Sequence, residues 1–185
     1  VDDKILELTK ISKNELENAK RIHEVINHIV DFCEEYVLLG HNTIFDYSFI
    51  KKEANRAGLE FEKRGIDTYK LCKKVLPENV RKNLTDACNY FGIERKNSHR
   101  AFSDAYYTHV LFQEIIKNFK TLEISSEAMK VKIKKFVPIR KRTKEDLQKL
   151  LNCHRIGCKV NIDLLSESEA KRMMDKIKSG SMDFT

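Results

Sequence analysis

The sequence predicts an α/β layer fold that carries a small helical module at its C-terminal end. Up to about residue 119, short apolar runs alternate with segments of helical period. A stretch of concentrated positive charge follows, and beyond it two short segments each pair a helix cap with an apolar stripe. The chain has 185 residues, 41% of them apolar, enough for one ordinary core and a small satellite.

Ser12 stands three residues before Glu15, a capping-box spacing, and Leu16, Ile22, Val25, Ile26, Ile29 and Phe32 continue with helical period. A helix over about 13–34, broken once, is expected. Tyr36-Val37-Leu38-Leu39-Gly40 is short, apolar and ended by glycine, and reads as a buried strand. Helical spacing resumes from Asp46 to Ala57, where Gly58 stops it. Gly65 to Thr68 is a brief extended piece, and the following helix through Tyr69, Leu71, Cys72 and Val75 is closed by Pro77. Asn83 to Gly92 reads as a short helix with a glycine stop. Ala101, Ala105, Thr108, Val110, Leu111 and Ile115 mark a long helix over about 98–119. In the last part, Thr143 is read as the cap of a helix through Leu147, Leu150 and Leu151. Ser166 with Glu169 is a capping box for a helix through Ala170, Met173, Met174 and Ile177.

The net charge of +7 is unevenly placed. Residues 1–119 hold 19 Lys and Arg against 19 Asp and Glu, and residues 145–185 hold seven of each. Residues 120–144 hold nine basic residues against Glu123 and Glu127, which accounts for the whole excess. A basic linker over 120–144 therefore separates a main domain, 1–119, from a helical module, 145–185. Such a stripe suits a polyanion, and a solvated linker accounts for the charge equally well. The longest apolar runs fall far short of the ~20 residues of a membrane span. Five cysteines, odd in number, lack the spacing of a disulfide framework, so a soluble chain in a reducing, cytoplasmic setting is expected. Cys153 and Cys158 are expected to be buried thiols without metal.

Two clusters place chemically able residues at the ends of elements. The first runs from Gly40 to Ile50 and joins a strand end to a helix start, where α/β proteins commonly bind ligands. Asp46 has a plain reading there as an N-cap residue, which leaves His41 and Asn42 unexplained. The second runs from Ser98 to Ala105, with His99 and Asp104 five apart at the beginning of the long helix. An acid in a first turn is favoured by the helix dipole alone.

Together the clusters resemble a known family. Gly40-His41-Asn42-x-x-Phe45-Asp46-x-x-Phe49-Ile50 resembles the second motif of the DEDDh, or DnaQ-like, 3'-5' exonucleases, and His99-Arg100-Ala101-x-x-Asp104-Ala105 resembles their third. Ile5 to Ser12 is similar to the stretch before the second motif, and Ile66-Asp67-Thr68 and Phe91-Gly92-Ile93 stand where the family has similar words. The resemblance covers about residues 5–119. It implies an RNase H-like fold and hydrolysis of phosphodiester bonds at nucleic-acid 3' ends, of the proofreading or repair type. It implies two divalent ions, Mg²⁺ or Mn²⁺, about 4 Å apart, which absorb charge on the attacking and leaving oxygens. By motif position, Asp46 and Asp104 are the metal ligands, His99 is the general base, and His41, Asn42 and Phe45 shape the site near the terminal nucleotide. The partners implied are a single-stranded 3' end, DNA ahead of RNA, and a DNA polymerase.

The sequence departs from the family at its first motif, an Asp-x-Glu pair on the first strand. Asp2, Asp3 and Glu7 lack that spacing. The expectation is a partial fold without its first strands, inactive by itself, belonging to a longer enzyme. A non-catalytic nucleic-acid-binding or scaffold subunit is the competing reading. The tail is similar to a small helical module that follows such domains in some bacterial proteins.

Overall fold

The computed structural model describes residues 3–96, 100–133, 135–157 and 161–180. The chain divides into two compact units, Val1–Ile133 and Lys134–Thr185.

The first unit is a mixed α/β layer structure, mostly helical, with one three-stranded sheet. Its elements are α1 (Asp3–Thr9), α2 (Lys13–Asn18), α3 (Ile22–Cys33), β1 (Leu38–Gly40), α4 (Thr43–Arg56), β2 (Arg64–Asp67), α5 (Thr68–Val75), α6 (Leu84–Tyr90), α7 (Ala101–Asn118) and β3 (Glu127–Ala128). The sheet order is β1-β2-β3. β1 and β2 are parallel, with Leu38 opposite Gly65 and Gly40 opposite Asp67, and β3 is antiparallel to β2. Helix α4 is the crossover that a parallel pair requires.

The pleat sends neighbouring residues to opposite faces, and a separate core forms on each. Leu38 packs with Ile26 of α3 and with Tyr47 and Ala54 of α4, together with Phe61 and Met129. Ile66 packs on the other side against Leu71, Cys72, Ala87, Cys88, Leu111 and Ile115 from α5, α6 and α7. Met129 lies directly over Gly65, where an added Cβ would stand 2.7 Å from its sulfur. Glycine is therefore what lets the core around Leu38 and Met129 close over β2. Helices on both faces of a partly parallel sheet agree with a partial RNase H-like exonuclease fold.

Several expectations shift at element ends. The helix expected over 13–34 is two helices, because Ser12 and Glu15 form the capping box for α2 alone and a second start follows at Arg21, whose N–H donates to the Glu24 carboxylate. The strand begins at Leu38 rather than Tyr36. Tyr36 and Val37 are exposed, and β1 is half-buried because it lies at one edge of the three-stranded sheet. α1 and β3 have no strong periodicity and were not foreseen. The basic stretch 120–144 is divided between the units: Leu122, Ile124 and Met129 pack into the cores of the first, and Arg140 begins the helix of the second.

In the second unit α8 (Lys141–Cys153) and α9 (Glu167–Lys178) pack through Leu147, Leu151, Ala170 and Ile177. Ser166 caps α9 with Glu169 as expected. The cap of α8 is not Thr143 but Arg140, whose side chain makes no cap bond. Glu167 serves instead: its carboxylate accepts the Arg140 N–H at 3.0 Å and the Thr143 hydroxyl at 2.8 Å. These bonds, first the one from Arg140, hold the Glu167 carboxyl down to about 2. Cys153 is exposed, because α8 buries Leu147 and Leu151 and turns that residue outward; Cys158 lies outside the described residues. Among the described residues no helix is long and apolar enough to cross a membrane.

Leu111 is completely buried between α5, α6 and α7. Leu111→Ala is expected to lower the unfolding free energy by about 2–5 kcal/mol, measured by urea denaturation of both proteins.

Candidate functional site

The exit from β1 is a sharp turn. An added Cβ at Gly40 would stand 2.7 Å from the Thr43 hydroxyl, so only glycine fits the close approach of strand end and helix start. Asn42, the N-cap of α4, adopts the left-handed conformation at φ 67°, ψ 44°, and makes no side-chain cap bond. A non-glycine residue there is strained by of order 1 kcal/mol or more, and a charge-assisted bond offsets it: the Asn42 N–H donates to Asp67 Oδ1 at 2.8 Å. The Thr43 hydroxyl donates to the Ile66 carbonyl, and that of Thr68 lies 3.1 Å from the Gly40 carbonyl.

His41 points inward. Its Nε2 lies 2.8 Å from the Lys82 carbonyl and its Nδ1 2.9 Å from the Thr68 hydroxyl. A carbonyl only accepts, so Nε2 carries the hydrogen, and in the neutral ring Nδ1 accepts from Thr68. Tyr69 meets the imidazole edge-on. Burial pulls the imidazole below its ordinary 6.5, against the opposing hydrogen bond to Lys82 and the nearby Asp67. Both ring nitrogens are thus engaged within the protein.

Asp46 lies in the first turn of α4, facing solvent, with its carboxyl raised from its ordinary 3.8 by partial desolvation. Phe45 and Phe49, one helical turn apart, are both exposed and meet edge to face at 5.0 Å. They offer an aromatic surface beside that carboxylate.

Asp104 lies in the first turn of α7. The Arg95 guanidinium donates to its carboxylate and, at 2.5 Å, to the Thr85 hydroxyl; it also stands over the Tyr107 ring. The Arg95 side chain is only 6% exposed, and its buried Nε has no hydrogen-bond partner among the described residues. Arg100, the N-cap of α7, donates to the Lys10 carbonyl and to Glu15, tying α2 to this turn. The Glu15 carboxyl falls to about 2, first through the Ser12 backbone and then through Arg100. His99 lies outside the described residues.

α4 and α7 both pack against β1, so the same strand supports the two acidic first turns. Asp46 and Asp104 are hard oxygen donors of the kind Mg²⁺ and Mn²⁺ prefer. Among the described residues no group of three or more His, Cys, Asp or Glu side chains could hold a metal ion, and the buried Arg95 cation already engages Asp104. The described residues therefore do not by themselves form a metal-binding cluster. Sequence reasoning missed Arg95, which no motif marks. It also passed over Asp67, although an acid at a strand end just before a helix is a recognisable cap signal.

The model of a family described as "Exonuclease" matches residues 1–112. Of curated proteins, a DNA polymerase III PolC-type from Caldanaerobacter subterraneus is 30% identical over 122 residues, 66% of this chain and 9% of that protein. Another from Clostridium perfringens is 33% identical over 117 residues, 63% of this chain and 8% of that protein. The 3'-5' exonuclease DinG of Staphylococcus haemolyticus is 30% identical over 145 residues, 78% of this chain and 15% of that protein. The chain thus spans well under a fifth of the length of these relatives.

His41 is expected to titrate below 6.5 in the folded chain, read from its ring-proton shifts by NMR. The unfolded chain then binds the proton first as pH falls, so this residue's contribution favours folding above about 6.5 and is lost progressively below it. His41→Gln should flatten that part of the stability profile between pH 7.5 and 5.

Proposed function

Because the chain belongs to the exonuclease family, we propose that it forms the C-terminal part of a metal-dependent 3'-5' exonuclease site acting on single-stranded 3' ends. The observation that carries this reading is the placement of Asp46 and Asp104 in the first turns of two helices packed on one strand. In the proposed site these acids contribute to holding divalent ions, and the family's first-motif carboxylate pair is needed to complete the set. When bound, such ions stabilise charge at the attacked phosphate. His99, by motif position, accepts the proton of the attacking water. Phe45, exposed beside Asp46, stacks on the terminal base, with Asn42 next to it. His41, with both ring nitrogens engaged, acts by holding the turn rather than by touching the nucleotide.

Two of the matched relatives are named as DNA polymerases III, which supports DNA over RNA as substrate and a polymerase as partner, in a proofreading or repair setting resembling an epsilon subunit. The matched DinG protein is named a 3'-5' exonuclease, which supports the polarity. One observation favours a second reading, a non-catalytic nucleic-acid-binding subunit: the buried Arg95 holds Asp104 as a protein cation does in a structural ion pair.

Digestion of a 5'-labelled single strand of DNA, with Mg²⁺ or Mn²⁺ and with chelator, separates the two. We expect metal-dependent shortening from the 3' end by the product of the complete reading frame, little or none by these 185 residues alone, and at least a ~10³-fold loss in Asp104→Ala. Binding without digestion in every form would select the non-catalytic reading. Retained cleavage in Asp104→Ala would remove that residue from the site.

A further inference from the structure

β1 and β2 end side by side, with Gly40 opposite Asp67, and the chain leaves each strand directly into a helix. One oxygen joins the two exits. Asp67 Oδ1 accepts the Tyr69 N–H at 2.9 Å, an ordinary cap of α5, and also the Asn42 N–H at 2.8 Å, 25 residues back in the chain. The second bond does not serve α5, the helix that Asp67 caps. It fixes the peptide entering a residue held at φ 67°, which side chains rarely adopt and which Asn42 does not support with a side-chain cap bond of its own. The Asn42 carbonyl in turn accepts the Phe45 N–H at 3.0 Å, the first bond of α4, and Asp46 follows in the same turn. The direction of that turn is therefore set from β2.

We propose that Asp67 is a positioning residue: as a backbone acceptor it holds the β1–α4 turn in its left-handed form and so aims the Asp46 carboxylate. This rests on the reading of Asp46 as a site residue. Asp67 also lies close enough to His41 and Lys70 to influence both electrostatically, so the test must separate its charge from its acceptor oxygen. Asp67→Asn removes the charge and keeps an oxygen in place, whereas Asp67→Ala removes both.

Amide hydrogen exchange is measured by NMR on the full chain in its wild-type, Asp67→Ala and Asp67→Asn forms, and cleavage kinetics on the product of the complete reading frame. In Asp67→Ala the Asn42 and Tyr69 amides should exchange about ten-fold faster or more, as for a lost charge-assisted bond. The Leu111 and Ile115 amides should stay protected, and kcat should fall with KM unchanged. Asp67→Asn should restore both the protection and kcat. Unchanged Asn42 protection in Asp67→Ala overturns the proposal, and so does an Asp67→Asn variant that behaves like alanine. If the alanine variant does not fold, Asn42 protection in Asp67→Asn decides the matter alone: retained protection supports the acceptor role and its loss overturns it. If the amides respond as expected but the wild-type protein neither binds nor cleaves a labelled 3' end, the tether is upheld. In that case the exonuclease reading fails, and the catalytic consequence of the tether fails with it.

Discussion

The parallel pairing of Leu38–Gly40 with Arg64–Asp67 is the constraint from which the rest of the first unit follows. It is only three residue pairs long, so it cannot be held by its ladder alone; the two cores pressed on its faces hold it. Leu38 and Ile66 point to opposite sides, and each anchors a separate helical layer. Parallel strands end at the same edge, so the helices that follow them begin together. That common edge brings two helix starts, with their unpaired N–H groups, within reach of a single carboxylate.

The same geometry explains what could be read in the sequence. Elements whose buried face repeats regularly were legible: the stripe of Thr108, Leu111 and Ile115 and the glycine-ended apolar run before His41 correspond to α7 and β1. Asp46 and Asp104 were legible as first-turn acids, since they fall where helices begin. Elements made by tertiary contact alone were not. β3 is two residues long, and its neighbour Met129 is needed because Gly65 leaves room for it. The composition of 120–144 suggested a basic linker because nine basic residues mask the four apolar side chains, Leu122, Ile124, Met129 and Val131, that pack into the first unit.

His41 shows how the partners of a motif residue can lie beyond any local pattern. Its place in Gly40-His41-Asn42 pointed to substrate, but the ring spans from the Thr68 hydroxyl to the Lys82 carbonyl. These partners are 27 and 41 residues away. No local pattern records them. Burial disfavours the charged form of the ring, because a cation there would be costly.

The two acidic first turns, alike in sequence, differ in their electrostatic surroundings. Asp46 has a raised carboxyl, because desolvation is only partly offset by its own backbone N–H. Asp104 faces a guanidinium that is itself almost wholly buried. Removing a partner from such a pair leaves an uncompensated charge in the interior, which costs far more than breaking an exposed one. Arg95 is further held by the Thr85 hydroxyl and the Tyr107 ring, so the cation is anchored from both α6 and α7. Any ligand that draws Asp104 toward solvent therefore works against the packing of α6 and α7 around Arg95, whereas one that engages Asp46 relieves a desolvated charge.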